Sequence, residues 1–321
     1  MITIRPRRLR TTPAMRRLVR EVNPRPSQLV LPMFVGESGA DISSMPGVRR
    51  HDLDGLRRAA VEAVEAGVGG LMLFGVPDEA DKDDRGTQAW AADGILQRGL
   101  SALREEVGDD TVIMADTCLD EFTTHGHCGF LTPDGRVDND PTLAAYVSMA
   151  VAQASAGAHV VAPSGMMDGQ VEAIRAGLDG EGFEDVAILA YAAKYASAFY
   201  GPFREAVDST LTGDRKTYQQ DPANRREGLR EAELDLAEAA DMVMVKPAGY
   251  YLDVLADVAE ISDVPVAAYQ VSGEYAMIEA AAANGWIDRQ RAIDESVTAI
   301  VRAGADIVLT YWAKELAGWW K

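Results

Sequence analysis

The chain alternates between short, almost wholly apolar segments and longer amphipathic ones. The apolar segments are rich in β-branched residues and cover residues 29–35, 69–75, 111–119, 159–164, 186–194, 241–247, 264–272 and 306–312. Near-continuous apolar character is typical of strands that are buried on both faces, as in a parallel sheet. The amphipathic stretches between them, such as 53–67, 141–157 and 295–304, have the period of a helix with one apolar face.

Four predicted helices run into their strands through one repeated phrase, which reads EAGVGGLML, SAGAHVVAP, EAADMVMV and RAGADIVLT. Gly or Ala at a helix end, followed at once by a strand, is the short turn of a repeated β/α unit. Eight strands with helical crossovers predict an α/β fold, a (β/α)8 TIM barrel in residues 26–321, after an extended N-terminal arm in residues 1–25. A doubly wound open sheet is the alternative, but no Gly-x-Gly-x-x-Gly follows the first strand.

Composition narrows the class of protein. The chain has 321 residues, of which 47% are hydrophobic, which is enough to bury a large core. No apolar run approaches the ~18–20 residues of a transmembrane helix, and the first residues lack the apolar stretch of a secretory signal. Two cysteines cannot form a disulfide framework, so we expect a cytoplasmic protein.

Charge is distributed unevenly along the chain. The net charge of −19 argues against nucleic acid or an anionic membrane as a partner. Residues 1–25, however, hold eight arginines and one acidic residue, Glu21, so the rest of the chain carries −26. A basic arm on an acidic body predicts packing against the body of a second subunit, with a solvated charge run as the alternative.

Two lysines end predicted apolar strands. Lys194 closes VAILAYAAK, and Lys246 ends the apolar run of DMVMVKP. Barrel enzymes carry their chemistry at the C-terminal ends of the strands. Burial and a second nearby cation both disfavour an ammonium ion, and a neutral amine is what a Schiff-base nucleophile needs. A snorkelling lysine or a buried ion pair is the alternative interpretation. The other polar residues at predicted strand ends are Asp116, Cys118, Ser164, Tyr269, Ser272 and Tyr311.

The long loops after the third and fifth strands also carry candidate chemistry. The first, TCLDEFTTHGHCG, contains Cys118, Asp120, Cys128 and two histidines, a donor set that suits zinc; reduced cysteines in a polar loop are the alternative. The second, at about residues 195–224, is a candidate lid with Arg204 and Arg215. Because arginine pairs bidentately with carboxylates, the lid predicts an acidic substrate.

Five segments together resemble the porphobilinogen synthase family, also called δ-aminolevulinic acid dehydratase. They are residues 5–21, 116–129, 191–206, 241–253 and 269–277, and the resemblance runs nearly end to end. It implies a (β/α)8 barrel whose arm wraps a neighbouring subunit, usually in a homo-octamer. It also implies condensation of two 5-aminolevulinate molecules to porphobilinogen, in tetrapyrrole and heme biosynthesis.

The resemblance implies roles for individual residues. Both lysines form Schiff bases in the family, Lys246 with the substrate that supplies the propionate side and Lys194 with the one that supplies the acetate side. Arg204, Arg215 and Gln219 match the lid residues that bind the second substrate's carboxylate, and Ser272 and Tyr311 match the groups that bind the first. Further matches to active-site positions are Tyr200, Asp116 and Ser164. Glu231 matches an allosteric magnesium ligand.

This sequence departs from the family pattern at two places. Zinc-type members have cysteine at positions 118, 120 and 128, whereas metal-independent members have Ala and Asp; this chain keeps Cys118 and Cys128 but has Asp120. We expect zinc to bind more weakly here than at three thiolates. The turn before the strand of Lys246 has Ala239 in the place of a glycine, which we expect to be tolerated because Ala can end a helix.

Two other functions are compatible with parts of the pattern. A class I aldolase-like barrel also uses a Schiff-base lysine, but it needs only one. An acidic oligomeric scaffold without activity is the non-enzymatic alternative, against which both strand-end lysines and both lid arginines argue.

Overall fold

The computed structural model describes residues 2–320 and contains a closed barrel of eight parallel strands. The predicted ends of the arm and of the barrel, Met1 and Lys321, lie outside the described residues. The barrel strands are β1 Leu29–Gly36, β2 Gly70–Val76, β3 Val112–Thr117, β4 Val160–Pro163, β5 Ala187–Lys194, β6 Met242–Lys246, β7 Val266–Tyr269 and β8 Ile307–Leu309.

The strands follow one another in sequence order, and β8 pairs with β1 to close the barrel. Closure through Leu29–Val308 and Val30–Leu309 excludes the open sheet and confirms the predicted (β/α)8 fold. Each predicted strand coincides with an observed one to within a few residues. A short antiparallel ribbon after β1, Ala40–Asp41 with Arg49–His51, was not predicted.

Apart from one in the arm and one in the lid, the helices surround the barrel. They are α1 Pro13–Leu18, α2 Leu53–Ala66, α3 Ile95–Val107, α4 Asn139–Ser155, α5 Gln170–Gly180, α6 Gly201–Ala206, α7 Arg225–Ala237, α8 Leu252–Ile261, α9 Ser272–Ala283, α10 Arg289–Arg302 and α11 Ala313–Trp319. Short 3-10 helices cover Pro6–Arg10, Pro26–Gln28, Glu79–Asp81, Thr87–Trp90 and Ala198–Tyr200.

Helix α2 shows how the sequence sets the ends of an element. The Asp52 side chain accepts a hydrogen bond from the Gly55 amide at 2.7 Å, which satisfies a free donor of the first turn. Gly67 ends the helix at φ 94°, in the left-handed region where glycine has no steric cost. The chain then enters β2 directly, as the repeated phrase predicts.

Ala239 occupies the same left-handed position at the end of the next-to-last of these repeated turns. Its φ is 71°, whereas the glycines at the equivalent turns, Gly67, Gly157 and Gly304, have φ of 94°, 102° and 119°. The Cβ of an L-residue meets the following carbonyl in this conformation, at a cost of roughly 1–2 kcal/mol. The turn forms as expected, but with local strain that the three glycine turns lack.

The arm before the barrel has no buried side chain in residues 2–25. Its exposed large apolar side chains are Ile2, Ile4, Leu9, Leu18 and Val19. In the described part of the chain, no helix is both long and apolar enough to cross a membrane.

Candidate functional site

One cavity at the C-terminal ends of the strands collects twelve of the predicted site residues. The lid, residues 195–224, lies over it. The predicted residues that line this cavity are Asp116, Asp120, Ser164, Lys194, Tyr200, Arg204, Arg215, Gln219, Lys246, Tyr269, Ser272 and Tyr311. Cys118 and Cys128 are fully buried in the chain segments beside Asp120, and Glu231 lies elsewhere.

The two lysines lie side by side because they are register partners on β5 and β6. Both side chains are buried, with 4% of Lys194 and 6% of Lys246 exposed. The Lys194 Nζ donates a hydrogen bond to the Ser164 carbonyl oxygen at 2.5 Å. The Lys246 Nζ lies 4.4 Å from the ring centroid of Tyr269 and 5.0 Å from that of Tyr191. Among the described residues neither lysine forms an ion pair, and their contacts are a carbonyl oxygen and aromatic rings, so the geometry does not support the buried ion-pair interpretation.

Burial, together with the positive charge of Lys194, lowers the pKa of Lys246 to about 7. A substantial fraction of the Lys246 amine is therefore neutral near pH 7. A neutral, buried amine at a strand end is a nucleophile toward a carbonyl carbon.

Asp116 at the end of β3 is the carboxyl group that faces both lysines. Burial raises its pKa to about 6, although the charges of Lys246 and Lys194 oppose that shift. Ser164 Oγ donates to its Oδ2 at 3.2 Å. A carboxyl group that titrates near neutrality beside two amines can accept and return protons during imine chemistry.

Four hydroxyl residues of the cavity form hydrogen bonds with protein groups. The hydroxyls of Tyr269 and Tyr311 lie 3.2 Å apart. Ser272 Oγ accepts a hydrogen bond from the Phe203 amide at 3.0 Å, which ties the start of α9 to the lid. The Tyr200 hydroxyl donates to the Tyr195 carbonyl oxygen at 2.7 Å, so in this state it supports the chain and points no free donor at a ligand.

The lid presents buried donors without protein acceptors. Arg215 Nε and Gln219 Nε2 are both buried and have no hydrogen-bond partner among the described residues. Leaving a charged or amide donor unpaired is costly, so these atoms are suited to an anionic ligand in the cavity. This observation supports the predicted carboxylate-binding role of both residues.

A candidate metal centre adjoins the cavity. Cys118, Asp120 and Cys128 each offer one ligand atom, and these atoms lie within 4.8 Å of one another; Asp116, Cys118 and Glu121 form a second such group. Burial raises the pKa of the Cys118 thiol, while that of Cys128 is lowered by a hydrogen bond from Cys118. Two thiolates and a carboxylate fit a divalent ion of borderline softness.

Asp120 also pairs with the lid. Arg215 Nη2 donates to Asp120 Oδ2 at 2.7 Å and to the Gly126 carbonyl oxygen at 2.9 Å. Although burial opposes it, the positive charge of Arg215 holds the pKa of Asp120 well below its usual range. The Asp120 carboxylate therefore links the loop of the candidate metal centre, residues 117–129 and called the metal loop below, to the lid.

The two histidines of the metal loop lie outside these ligand groups. His125 contacts the Asp84 carbonyl oxygen, and His127 Nδ1 lies 3.0 Å from the Tyr218 hydroxyl. Both side chains are partly buried, and these contacts help to hold the loop in its conformation. The sequence could not separate them from the cysteines, because all lie within one short segment.

Glu231 lies on α7, in a separate cavity with Asp168 and Glu227. Burial raises its pKa, and the negative charges of these two neighbours raise it further. Gln219 lines both this cavity and the one with the lysines. The geometry is compatible with a cation near Glu231.

Sequence reasoning missed several residues that line the main cavity. The apolar ones, Phe74, Phe203, Val207 and Val271, carry no chemical signature in the sequence. Glu121 follows Asp120 directly and is 2% exposed, so a second carboxylate in the metal loop was a signal that could have identified it. Ser209 lies in the lid beside Arg204 and is likewise a lining residue.

The fold and the cavity define a class of protein: a (β/α)8 barrel enzyme whose strand-end lysines lie in a lidded polar cavity. Comparison with known proteins gives the family. A model of the family "Delta-aminolevulinic acid dehydratase" matches residues 3–319 of this chain. The chain belongs to the δ-aminolevulinic acid dehydratase family.

Individual relatives agree along the whole length. The chain is 67% identical over 319 residues to a delta-aminolevulinic acid dehydratase of Mycobacterium tuberculosis, covering 98% of this chain and 97% of the relative. It is 66% identical over 316 residues to one of Streptomyces coelicolor, covering 98% and 96%. A crystal structure of the Toxoplasma gondii enzyme, in complex with the reaction product porphobilinogen, superimposes with a TM-score of 0.97 at 46% identity, covering 99% of this chain and 92% of that one.

Proposed function

We propose that this enzyme condenses two molecules of 5-aminolevulinate to porphobilinogen through Schiff bases on Lys194 and Lys246. The observation that carries the proposal is the pair of buried lysines, in register on adjacent strands of one cavity. A reaction that joins two ketones through two imines requires two lysine amines, whereas an aldolase requires one. Family membership and the product-bound T. gondii relative support the same reaction.

Carbon–nitrogen bond formation uses the neutral amines. Each Nζ attacks the keto carbon of one substrate, and loss of water leaves an iminium that is a stronger electrophile and electron sink than the ketone. Lys246 holds the substrate of the propionate side and Lys194 that of the acetate side. Deprotonation beside one iminium gives an enamine carbon that attacks the iminium carbon of the other substrate, whose C=N electron pair passes to the lysine nitrogen. Cleavage of the carbon–nitrogen bonds to the two lysines, with their nitrogens protonated, then releases the product and returns both amines.

Proton transfer falls to the carboxyl of Asp116, which faces both lysines and has a pKa raised to about 6 by burial. The Asp116 carboxylate takes a proton from the carbon beside the iminium or from the nitrogen of a carbinolamine. It returns the proton to the hydroxyl group that leaves as water. Ser164 hydrogen-bonds to this carboxyl and orients it. Tyr269, next to the Lys246 amine, excludes water from that side.

Two groups of side chains bind the substrate carboxylates. The unpaired donors of Arg215 and Gln219, together with Arg204, form the second substrate's site on the lid. Ser272 and Tyr311 form the first substrate's site, and Tyr200 completes the wall. Holding both reactants in one closed cavity converts an encounter of two molecules into an intramolecular reaction.

Cys118, Cys128 and Asp120 would hold a zinc ion, which supplies Lewis acidity toward a substrate amine or carbonyl when bound. The donor set supports this proposal, since two thiolates select zinc over magnesium. Glu231 would hold an allosteric magnesium ion, a proposal supported by its position in an acidic cavity apart from the lysines.

Assembly is proposed to be a homo-octamer in the cytoplasm, with the arm of each subunit on a neighbour. Support comes from the arm itself, because residues 2–25 contain no buried side chain and expose several apolar ones. An exposed basic arm complements the acidic barrel. Nucleic acid and membranes are not proposed as partners.

The direct experiment is to incubate the purified protein with 5-aminolevulinate, zinc and magnesium and to measure porphobilinogen. We expect porphobilinogen from the native protein and a loss on the order of a thousandfold or more in Lys246→Ala and Lys194→Ala, which keep their fold. Native protein that forms no porphobilinogen would favour the scaffold alternative. Near-native turnover in either variant would contradict the two-lysine mechanism.

A further inference from the structure

The lid crosses the mouth of the barrel. It begins at the end of β5, and its far side is fastened to the loops after β1 and β2, which stand on the opposite side of an eight-stranded barrel. Two acidic side chains of the lid, Glu205 and Asp208, make the fastening contacts. We call these contacts the lid latch.

Glu205 provides the first half of the latch. Its Oε1 accepts hydrogen bonds from the Ser43 amide at 2.8 Å and the Ser43 hydroxyl at 2.5 Å. Its Oε2 accepts from the Ser44 amide at 3.2 Å and from the Ser44 hydroxyl. These four donors hold the pKa of Glu205 below its usual range, although the side chain is exposed.

Asp208 provides the second half. Its carboxylate pairs with the guanidinium of Arg50, and its carbonyl oxygen accepts a hydrogen bond from Lys82 Nζ at 2.9 Å. The side chain of Lys82 is only 1% exposed, so this ammonium is committed to the lid and to Glu79 at 3.3 Å. Asp208 has φ 48°, a left-handed conformation that turns the backbone sharply between the two faces of the lid.

The latch residues alternate with residues that line the cavity. Arg204, Val207 and Ser209 face the lysines, whereas Glu205 and Asp208 face the loops outside. The Ser209 amide donates to the Arg204 carbonyl oxygen at 2.9 Å, which closes the segment into one turn. Fixing the outer face therefore fixes the position of Arg204 over the cavity.

We propose that Glu205 and Asp208 are positioning residues for the second substrate, acting through Arg204 and the lid. The proposal rests on the proposed function, in which Arg204 binds the carboxylate of that substrate. Neither residue touches the substrate. Their effect is to raise the population of the closed lid before the second substrate arrives.

Each exposed contact of this kind contributes modestly to the stability of the closed lid. The population of the closed lid therefore exceeds that of the open lid by a limited factor. Substrate binds the closed state and shifts the population toward it. Weakening the latch therefore raises the KM for 5-aminolevulinate and leaves kcat nearly unchanged at saturation. A residue needed for chemistry or for folding would lower kcat or the thermal midpoint instead.

The test compares Glu205→Gln, Asp208→Asn and the double variant with Glu184→Gln and Asp185→Asn, which make the same charge changes at exposed sites outside the lid. Full-length protein with zinc and magnesium is used throughout. We expect substrate-free amide exchange at residues 203–211 to accelerate about twofold in each latch variant and about threefold in the double variant. The KM of the double variant should rise about threefold with kcat within about twofold of native.

A double-mutant cycle separates a latch from general loosening. Ser43→Ala with Ser44→Ala removes the two hydroxyl donors to Glu205 and keeps the two backbone amide donors. Adding Glu205→Gln to this background should therefore have a smaller effect on exchange than it has in the native protein. Effects that multiply in this cycle, or a double latch variant with native exchange and native KM, would overturn the proposal. The exchange measurement needs no product, so it stands even if the native protein forms no porphobilinogen.

Discussion

Lys194 and Lys246 differ in their surroundings, although they are neighbours on adjacent strands. Lys194 has a carbonyl acceptor, the Ser164 oxygen, whereas Lys246 is surrounded by the rings of Tyr191, Tyr200, Phe203 and Tyr269. Aromatic rings stabilise a cation weakly compared with water, so burial dominates and the pKa of Lys246 falls to about 7. A large fraction of the Lys246 amine, which lies among these rings, is therefore neutral near pH 7.

This difference predicts the pH dependence of the reaction. Below pH 7 the Lys246 amine gains a proton and cannot attack a ketone, so kcat/KM should fall as the pH decreases through about 7. Steady-state kinetics across this range, with metal content measured at every pH, check the prediction. A limb near pH 10, the value of an ordinary lysine, would show that burial does not lower this pKa.

Asp120 stands where the resemblance to zinc-type members predicts a cysteine. Replacing its carboxylate by a thiolate should tighten zinc binding on the order of tenfold, because sulfur is the softer donor. The same substitution removes the ion pair with Arg215, which loosens the lid. Competition with a chromogenic chelator compares zinc binding by Asp120→Cys and the native protein.

The control for this prediction is the double variant Cys118→Ala with Cys128→Ala, which should lose zinc and most activity. Equal zinc affinity in Asp120→Cys and native protein would show that the carboxylate is not a ligand. Full activity in the double alanine variant after chelation would place this protein with the metal-independent members.

At the scale of elements, the turn at Ala239 is the place where local sequence and conformation disagree. Substituting Ala239→Gly removes the Cβ from a left-handed residue and should stabilise the fold by about 1 kcal/mol, or about 2 °C in thermal midpoint. Ala237→Gly, at the last residue of α7, is the matched control and should destabilise by a similar amount. Differential scanning calorimetry at one protein concentration measures both. An unchanged midpoint in Ala239→Gly would mean that the turn carries no strain.

Regular elements could be predicted from the sequence because apolar periodicity encodes them. All eight barrel strands were located, and α4, for instance, begins at Asn139 where the pattern predicted residue 141. The ribbon Ala40–Asp41 with Arg49–His51 is too short to have a period. The lid latch joins residues about 160 positions apart, as for Ser43 and Glu205, and no local pattern reports such a pair.

The contacts of the candidate site also differ in how far the sequence predicts them. Lys194, Lys246 and Asp116 could be placed together because strand ends meet at one edge of a barrel. The association of Asp120 with Arg215 could not be predicted, since it depends on how two irregular loops meet. Family resemblance supplied the roles of Ser272 and Glu231, which residue chemistry alone does not identify.

For the whole molecule, the role proposed for the arm depends on a second subunit. Deleting residues 1–20 removes seven of the eight arginines of the arm and its exposed apolar side chains. We expect smaller oligomers with low activity, measured by sedimentation velocity and by porphobilinogen formation. If sedimentation velocity shows the same number of subunits per oligomer in the deletion variant and the native protein, the arm is merely solvated.

The claim on which the whole account depends is that two lysines bind the substrate covalently. Borohydride reduction in the presence of isotopically labelled 5-aminolevulinate converts each imine into a stable secondary amine, and peptide mass spectrometry locates the label. We predict label on the peptides of Lys194 and Lys246, and loss of each signal in the corresponding alanine variant. Porphobilinogen formation with label on one lysine only, or on neither, would contradict the account.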